Sequence, residues 1–205
     1  MDESGAFVFM LHDGMKTGGR NRTRPMTETH GSISARVERY LAAIETHNDT
    51  VNAVLALTPD AARAAAREAD TAVADGSGRG LLHGTAMLIK DCIDMAGMPT
   101  THGTKVYGET PAQDDAEVIR KLRQGGAILM GKTHLPELCF GATGENPHFG
   151  NCRNPWDPAR ISGGSSSGSA AAVAAGFCDS ALGNDTGGSV RAHAALFGAV
   201  GLRAT

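Results

Sequence analysis

Gly163-Gly164-Ser165-Ser166-Ser167-Gly168-Ser169 runs straight into Ala170-Ala171-Ala172-Val173-Ala174-Ala175-Gly176, and a little later the chain reads Gly183-Asn184-Asp185-Thr186-Gly187-Gly188-Ser189-Val190-Arg191. By composition alone the first run would pass for a flexible linker. Three features oppose that. It opens into a strongly apolar helix, so it lies against a core. A second glycine-rich turn follows after one helix and one strand. Both turns set hydroxyls beside backbone N–H groups, which is what acyl transfer needs for a nucleophile and an oxyanion hole.

Outward from these turns, helices alternate with short buried strands. Ile33, Val37, Tyr40, Leu41 and Ile44 recur at three- and four-residue steps from Ser32 onward and mark one face of a helix. Asp60 is placed to cap a second, Ala-rich helix that ends near Ala74, before Asp75-Gly76-Ser77-Gly78. Thr85–Lys90 and Ala127–Met130 read as buried strands, with a helix between them capped by Asp114 or Asp115 and ending at Gly125-Gly126. Ser180–Leu182 reads as a third strand, and a short helix follows the second turn. This alternation predicts an α/β layer architecture.

One motif misleads. Gly126–Thr133, GAILMGKT, satisfies the pattern of a phosphate-binding P-loop. A P-loop follows a strand and opens a helix, whereas here the variable positions are themselves strand-like, a helix precedes them, and His134-Leu135-Pro136 comes next. The context argues against nucleotide binding.

A serine hydroxyl needs a base to take its proton. His83, His102, His134, His148 and His193 are available, but none sits in a Ser-His-Asp arrangement, and neither Ser165 nor Ser189 is the central serine of a G-x-S-x-G. Lys90 is another candidate, since it ends a buried strand and burial favours the neutral amine. Taken alone, a lysine at a strand end is more often a surface residue with a snorkelling tip.

Together these blocks resemble the amidase signature enzymes. The resemblance rests on GGSSSGSAAAVAAG (Gly163–Gly176) and GNDTGGSVR (Gly183–Arg191). LHGTAMLIKD (Leu82–Asp91), GMPTTHGT (Gly97–Thr104), ILMGKTHLPELCFG (Ile128–Gly141) and NCRNPWDPARISGGSS (Asn151–Ser166) agree with it in order. It extends from about Ser32 to the last residue. It implies a mixed β-sheet core flanked by helices and a Ser–cis-Ser–Lys triad. By carry-over Ser189 is the nucleophile, Ser165 the bridging serine and Lys90 the base, with the N–H groups of Thr186, Gly187, Gly188 and Ser189 forming the oxyanion hole. It also implies hydrolysis of a carboxylic amide through an acyl-enzyme, without metal or cofactor. A glutaminase subunit of a tRNA-dependent amidotransferase shares the same core and is the alternative, and its partner subunits or a homodimer stay open. Asp185 and Arg191 read as a scaffold ion pair, and Ser166, Ser167 and Ser169 as residues that bond the turn and cap the helix.

There are departures from the family's pattern. Ser162 stands where Pro is frequent and Ser167 where Gly is common. His193 replaces a usual Pro and is expected to shift the following helix. Family members continue for roughly as many residues again beyond Gly201-Leu202-Arg203-Ala204-Thr205, so the resemblance implies a domain over 31–205 truncated at its C-terminal end. A fragment without activity is therefore the reading of a different class.

The remaining features narrow the choice. At 205 residues one domain is expected. A net charge of −3 and only 4% aromatic residues argue against a nucleic-acid surface. No apolar run is long enough for a membrane span. Cys92, Cys139, Cys152 and Cys178 form no C-x-x-C pair, and fit reduced thiols of a cytoplasmic protein, with Cys139 and Cys178 among apolar neighbours as core thiols. Residues 1–30 lack periodicity and read as a disordered tail.

Overall fold

The computed structural model describes residues 6–10, 31–78 and 80–203. Six strands form one mixed sheet in the order β2-β4-β3-β5-β1-β6. Its centre is parallel: β3 (Ala86–Lys90) lies between β4 (Ile128–Thr133) and β5 (Ser180–Asn184) and runs with both. The outer pairings are antiparallel, β2 (Val54–Leu57) with β4 on one side, and β1 (Ala6–Met10) with β5 and β6 (Val200–Arg203) on the other.

Every residue of β3 and β4 is buried, because both faces of the sheet are covered. Ala86, Leu88, Ile128 and Met130 pack into one core with α1 (Ile33–Val51), α2 (Pro59–Ala74), α4 (Ser167–Ala174) and α5 (Arg191–Phe197). Met87, Ile89, Leu129 and Leu182 face a second core with Ile119 and Leu122 of α3 (Glu117–Gln124) and with Met95 and Met98. This alternation of successive side chains between two cores is the two-residue period of a strand expressed in packing. Lys90 follows in phase with Ala86 and Leu88, on the side of α4.

α1 takes the periodic stretch expected of it, burying Val37, Leu41, Ile44 and Val51. Ser32 Oγ accepts from the Ala35 N–H at 3.1 Å. The Asp70 carboxylate of α2 accepts from Ile33 and Ser34, so two otherwise orphaned N–H groups of the first turn are met by a neighbouring helix. α2 buries Ala62, Ala66, Ala69 and Ala72. Its cap falls at Thr58 with Pro59 opening the helix, so Asp60 sits in the first turn rather than at the cap. Pro fits there because its missing N–H is one the helix cannot use. α3 starts at Glu117. Asp115 instead accepts from Ala96 N–H and pairs with Arg123.

The GKT of the P-loop-like motif lies inside β4, and Lys132 is buried in an ion pair with Asp91, 2.8 Å away. Its ammonium is engaged by protein and turned away from any phosphate cradle. Gly131 has a φ of 157° and lies so close to β2 that a Cβ would meet Ala56 O at 2.1 Å, which explains the glycine without nucleotide.

β2, β1 and β6 were not anticipated as strands. Ala6–Met10 falls within the stretch read as a tail, yet it pairs on both edges; the rest of 1–30 lies outside the described residues. The physical reason is that a five-residue apolar run can satisfy its backbone groups by joining a sheet. Among the described residues no helix is long and apolar enough to cross a membrane.

Candidate active site

The parallel strands deliver their carboxyl ends to one place, the position where open α/β sheets hold ligands. Lys90 ends β3, Thr133 ends β4 beside it in register, and Asn184 ends β5. The Gly/Ser turn and α4 pass across these ends. Lys90 Nζ lies 2.7 Å from Ser165 Oγ, and Ser165 Oγ lies 3.1 Å from Ser189 Oγ. Three side chains from well-separated stretches are thus joined in one hydrogen-bonded row. The Gly164–Ser165 peptide bond is cis.

Exposure rises along the row. Lys90 is 0% exposed, Ser165 4%, and Ser189 is half-buried. The inner end is shielded and the outer hydroxyl can be reached. Desolvation pushes the Lys90 ammonium below the ordinary lysine value, the thiols of Cys92 and Cys139 and the Asp185 carboxylate acting in the opposite sense. The amine of Lys90 also contacts Asn184 Oδ1, which holds it at the strand end. No histidine hydrogen-bonds to Ser165 or Ser189 among the described residues. His134, the most elaborately bonded, faces Gly150 O and Ser167 Oγ, and burial lowers its pKa.

The geometry of the Gly/Ser turn explains its composition. A Cβ on Gly164 would stand 2.2 Å from Gly141 O, and one on Gly168 would stand 2.3 Å from both Ala53 O and His134 N. Glycine lets these backbones touch. Ser166 and Ser169 donate to Asn184 O and Leu182 O of β5, and Ser169 also meets Thr133 of β4. The serines therefore fasten the turn to the sheet as expected, but none caps α4, whose cap position Ser166 makes no side-chain cap bond. Their hydroxyls go to the sheet because α4 starts wholly buried between β4 and β5.

The second turn is built around Asp185. Its buried carboxylate takes a bidentate pair from Arg191, both bonds 2.9 Å, and accepts from the N–H groups of Gly188, Val190 and Arg191. The Arg191 bonds, with those of the backbone, hold its pKa far below the usual carboxylate range. The Gly188 N–H is consumed here, pointing at Asp185. Of the four amides expected to line an oxyanion hole, those of Thr186, Gly187 and Ser189 make no hydrogen bond among the described residues, and Thr186 and Gly187 are exposed. A Cβ on Gly187 would meet nothing within 4 Å, so this residue borders open space on its Cβ side.

His193 is 1% exposed and neither ring nitrogen has a hydrogen-bond partner among the described residues. Its ring fills the space at Gly163, where a Cβ would lie 2.6 Å from Cδ2. Desolvation lowers its pKa to about 4. It lies one turn into α5, which still forms over Arg191–Phe197.

Two features escaped the sequence reading. Asn184 borders the D-T-G-G-S turn and could have been suspected from its place at a strand end. Cys139 could not. Read as a core thiol, it is only half-buried and interacts with Lys90, Asn184 and Cys92, because the 3-10 turn Glu137–Cys139, with Leu138 and Cys139 at positive φ, folds back over the strand ends. Cys178 does lie fully buried in the core. Among the described residues no group of three or more His, Cys, Asp or Glu side chains is arranged to hold a metal ion.

Known proteins align with this arrangement. The A subunit of glutamyl-tRNA(Gln) amidotransferase from Gloeobacter violaceus is 41% identical over 191 residues, 93% of this chain and 39% of that protein. Its counterpart from Chloroflexus aurantiacus is 47% identical over 177 residues, 85% of this chain and 36% of its own. Among solved structures, the native peptide amidase of Stenotrophomonas maltophilia superposes with a TM-score of 0.77 at 37% identity, covering 84% of this chain and 37% of that one. A crystal structure described as an amidase gives 0.74 at 41% identity, over 80% and 37%. The chain thus spans less than two fifths of the length of each of these relatives. The Amidase family matches residues 35–205, and the chain belongs to that family, the amidase signature enzymes.

Proposed function

We propose that this chain carries the catalytic core of an amide hydrolase working through Lys90, Ser165 and Ser189. The observation that carries the reading is the continuous contact from Lys90 Nζ to Ser165 Oγ to Ser189 Oγ, with its dry inner end. Neutral Lys90 accepts the proton of Ser165 as Ser165 takes that of Ser189, and Ser189 Oγ bonds to the amide carbon. The developing oxyanion is met by the amides of Thr186, Gly187 and Ser189. The proton then returns along the same row to the departing amine as the C–N bond breaks. Water, deprotonated by the same relay, releases the acid from Ser189.

On this reading residues 31–205 form the N-terminal part of a longer amidase domain in a cytoplasmic enzyme, and the substrate is a small carboxylic amide. The relatives named as amidotransferase A subunits favour a second reading, in which the amide is delivered within a complex. Co-elution of the chain with such partner subunits supports it, and independent elution removes it.

Covalent labelling by a fluorophosphonate probe tests the first reading, using the parent beside Ser189→Ala and Lys90→Ala. Labelling of the parent alone is expected. A folded parent that takes no label overturns it.

A further inference from the structure

His193 sits between the two turns that carry the serines. It lies near the start of α5, which continues directly from the Ser189 turn through bonds from Ala192 N–H to Gly188 O and from Ala194 N–H to Val190 O. Its ring is buried, with both nitrogens unpartnered among the described residues. The edge of that ring occupies the place a side chain on Gly163 would take, with Cδ2 at 2.6 Å and Nε2 at 2.8 Å from such a Cβ. Leu196, on the same helix, adds a methyl at 3.2 Å.

The two sides of Ser165 are held by different means. After it, the turn is bonded to its surroundings: Ser166 Oγ donates to Asn184 O at 3.1 Å, Ser169 Oγ to Leu182 O at 2.9 Å, and Gly168 N–H to His134 O at 2.9 Å. Before it, the amides of Gly163 and Gly164 donate no hydrogen bond among the described residues, and Gly163 O accepts only the hydroxyl of the adjacent Ser162. Contact confines this stretch instead. The Gly141–Ala142 backbone closes one side of Gly164, and the His193 ring closes Gly163. A ring with no hydrogen bond to direct it acts through its shape.

We propose that His193 is a positioning residue of the relay: its ring, carried on the helix that follows Ser189, seats Gly163 and thereby sets the reach of Ser165 toward Lys90 and Ser189. This rests on the amide-hydrolase reading of that row. Ser165 Oγ meets two partners at once, Lys90 Nζ at 2.7 Å and Ser189 Oγ at 3.1 Å, and proton transfer along the row needs both contacts together. A displacement of about 1 Å in such an arrangement costs about a hundredfold in rate. Because the ring belongs to α5, it fixes the bridging serine relative to the nucleophile rather than to the sheet. The ring is closed off from solvent, so it acts on the rate of the chemical step rather than on affinity.

The fluorophosphonate probe is applied over a range of concentrations to the folded parent, His193→Ala and His193→Leu. In His193→Ala the maximal labelling rate is expected to fall about ten- to a hundredfold, with the half-saturating probe concentration within about twofold of the parent. His193→Leu refills the space without the unpartnered nitrogens. It is expected to restore the rate to about a third of the parent or better, with a higher melting temperature. In an isotope-labelled chain, the amide resonances of Gly163, Gly164 and Ser165 should broaden from microsecond-to-millisecond exchange in His193→Ala, and stay sharp in the parent and in His193→Leu. A His193→Ala chain that melts lower yet labels at the parent's rate has lost only packing, and overturns the proposal. Failure of His193→Leu to restore the rate also overturns it. A parent that takes no label counts against the amide-hydrolase reading, and the resonances alone then decide the seat: sharp Gly163–Ser165 signals in His193→Ala overturn it.

Discussion

Lys90 joins a charge-bearing amine to a site from which water is excluded, and that conflict is the source of its chemistry. Burial lowers its pKa from the ordinary 10.5, because the ammonium loses hydration that a neutral amine does not need. The unfolded chain therefore binds more protons than the folded one between the lowered value and 10.5, so this residue makes stability increase as pH rises through that window. Lys90→Met, of similar volume and without the charge, should flatten that slope in urea titrations run across pH while abolishing probe labelling. Asp185 gives a slope of the same sign, at acid pH. Its folded pKa lies below 3.8, so its contribution is complete above that value and is lost as pH falls through the folded value. Removing Arg191 as Ala should lower the midpoint of chemical denaturation, since the carboxylate keeps its three backbone N–H donors but loses its charged partner. In contrast, Arg191→Ala should reduce labelling of Ser189 through disorder of the turn and leave its pH midpoint unchanged.

At the scale of elements, α4 is the piece that admits least change. Gly168 to Val173 are all buried, and the helix passes between the ends of β4 and β5 with backbone contacts in place of side chains. Gly168→Ala would drive a methyl to 2.3 Å from the Ala53 carbonyl and the His134 amide. Both neighbours are backbone, so the helix itself must move. A loss of about 1–3 kcal/mol, as for overpacked cores generally, should appear in thermal or urea melts, together with weaker Ser189 labelling as Ser165 shifts away from Lys90. The elements that were legible in sequence were those with a strong local signal. α1 announced itself by its stripe and by Ser32, and β3 by an apolar run between Gly84 and Asp91. Two of the strands that were missed, β2 and β6, have four residues each, too few for a period to register, and are strands only because a neighbour supplies their hydrogen bonds. The caps expected at α2 and α3 lie one or two residues from those observed, because Pro59 opens α2 directly after Thr58 and Asp115 is engaged by Ala96 N–H and Arg123.

For the whole molecule, several of the exposed apolar residues lie on the last elements of the sheet layer or beside the Gly/Ser turn. Val200 and Leu202 of β6, Leu196 of α5, and Ile161 and Phe140 near the Gly/Ser turn are all substantially exposed, Phe140 at 92%. Among the described residues β6 is also the last strand of the sheet and pairs on one side only. An apolar edge strand offers unpaired backbone groups to any other strand. The isolated chain should therefore self-associate, and Leu202→Lys, placing a charge on that edge, should shift light-scattering mass toward the monomer without loss of helical signal. A monomeric parent at tens of micromolar would remove this expectation.

The sequence by itself determined the family, the three side chains of the row and the glycines between them, because these are set by residue types at fixed spacing along the chain. Ser165, Ser189 and Lys90 were assigned together through the resemblance of their blocks to the family, since a strand-end lysine taken alone reads as a surface residue. Tertiary structure alone decided what surrounds them. That Asn184 holds the lysine amine, that His193 fills the space at Gly163, and that Cys139 is carried out of the core on a turn bonded to His102 all depend on contacts between stretches far apart in the chain. Such contacts carry no periodicity, and burial is a property of the packed molecule rather than of any segment of it.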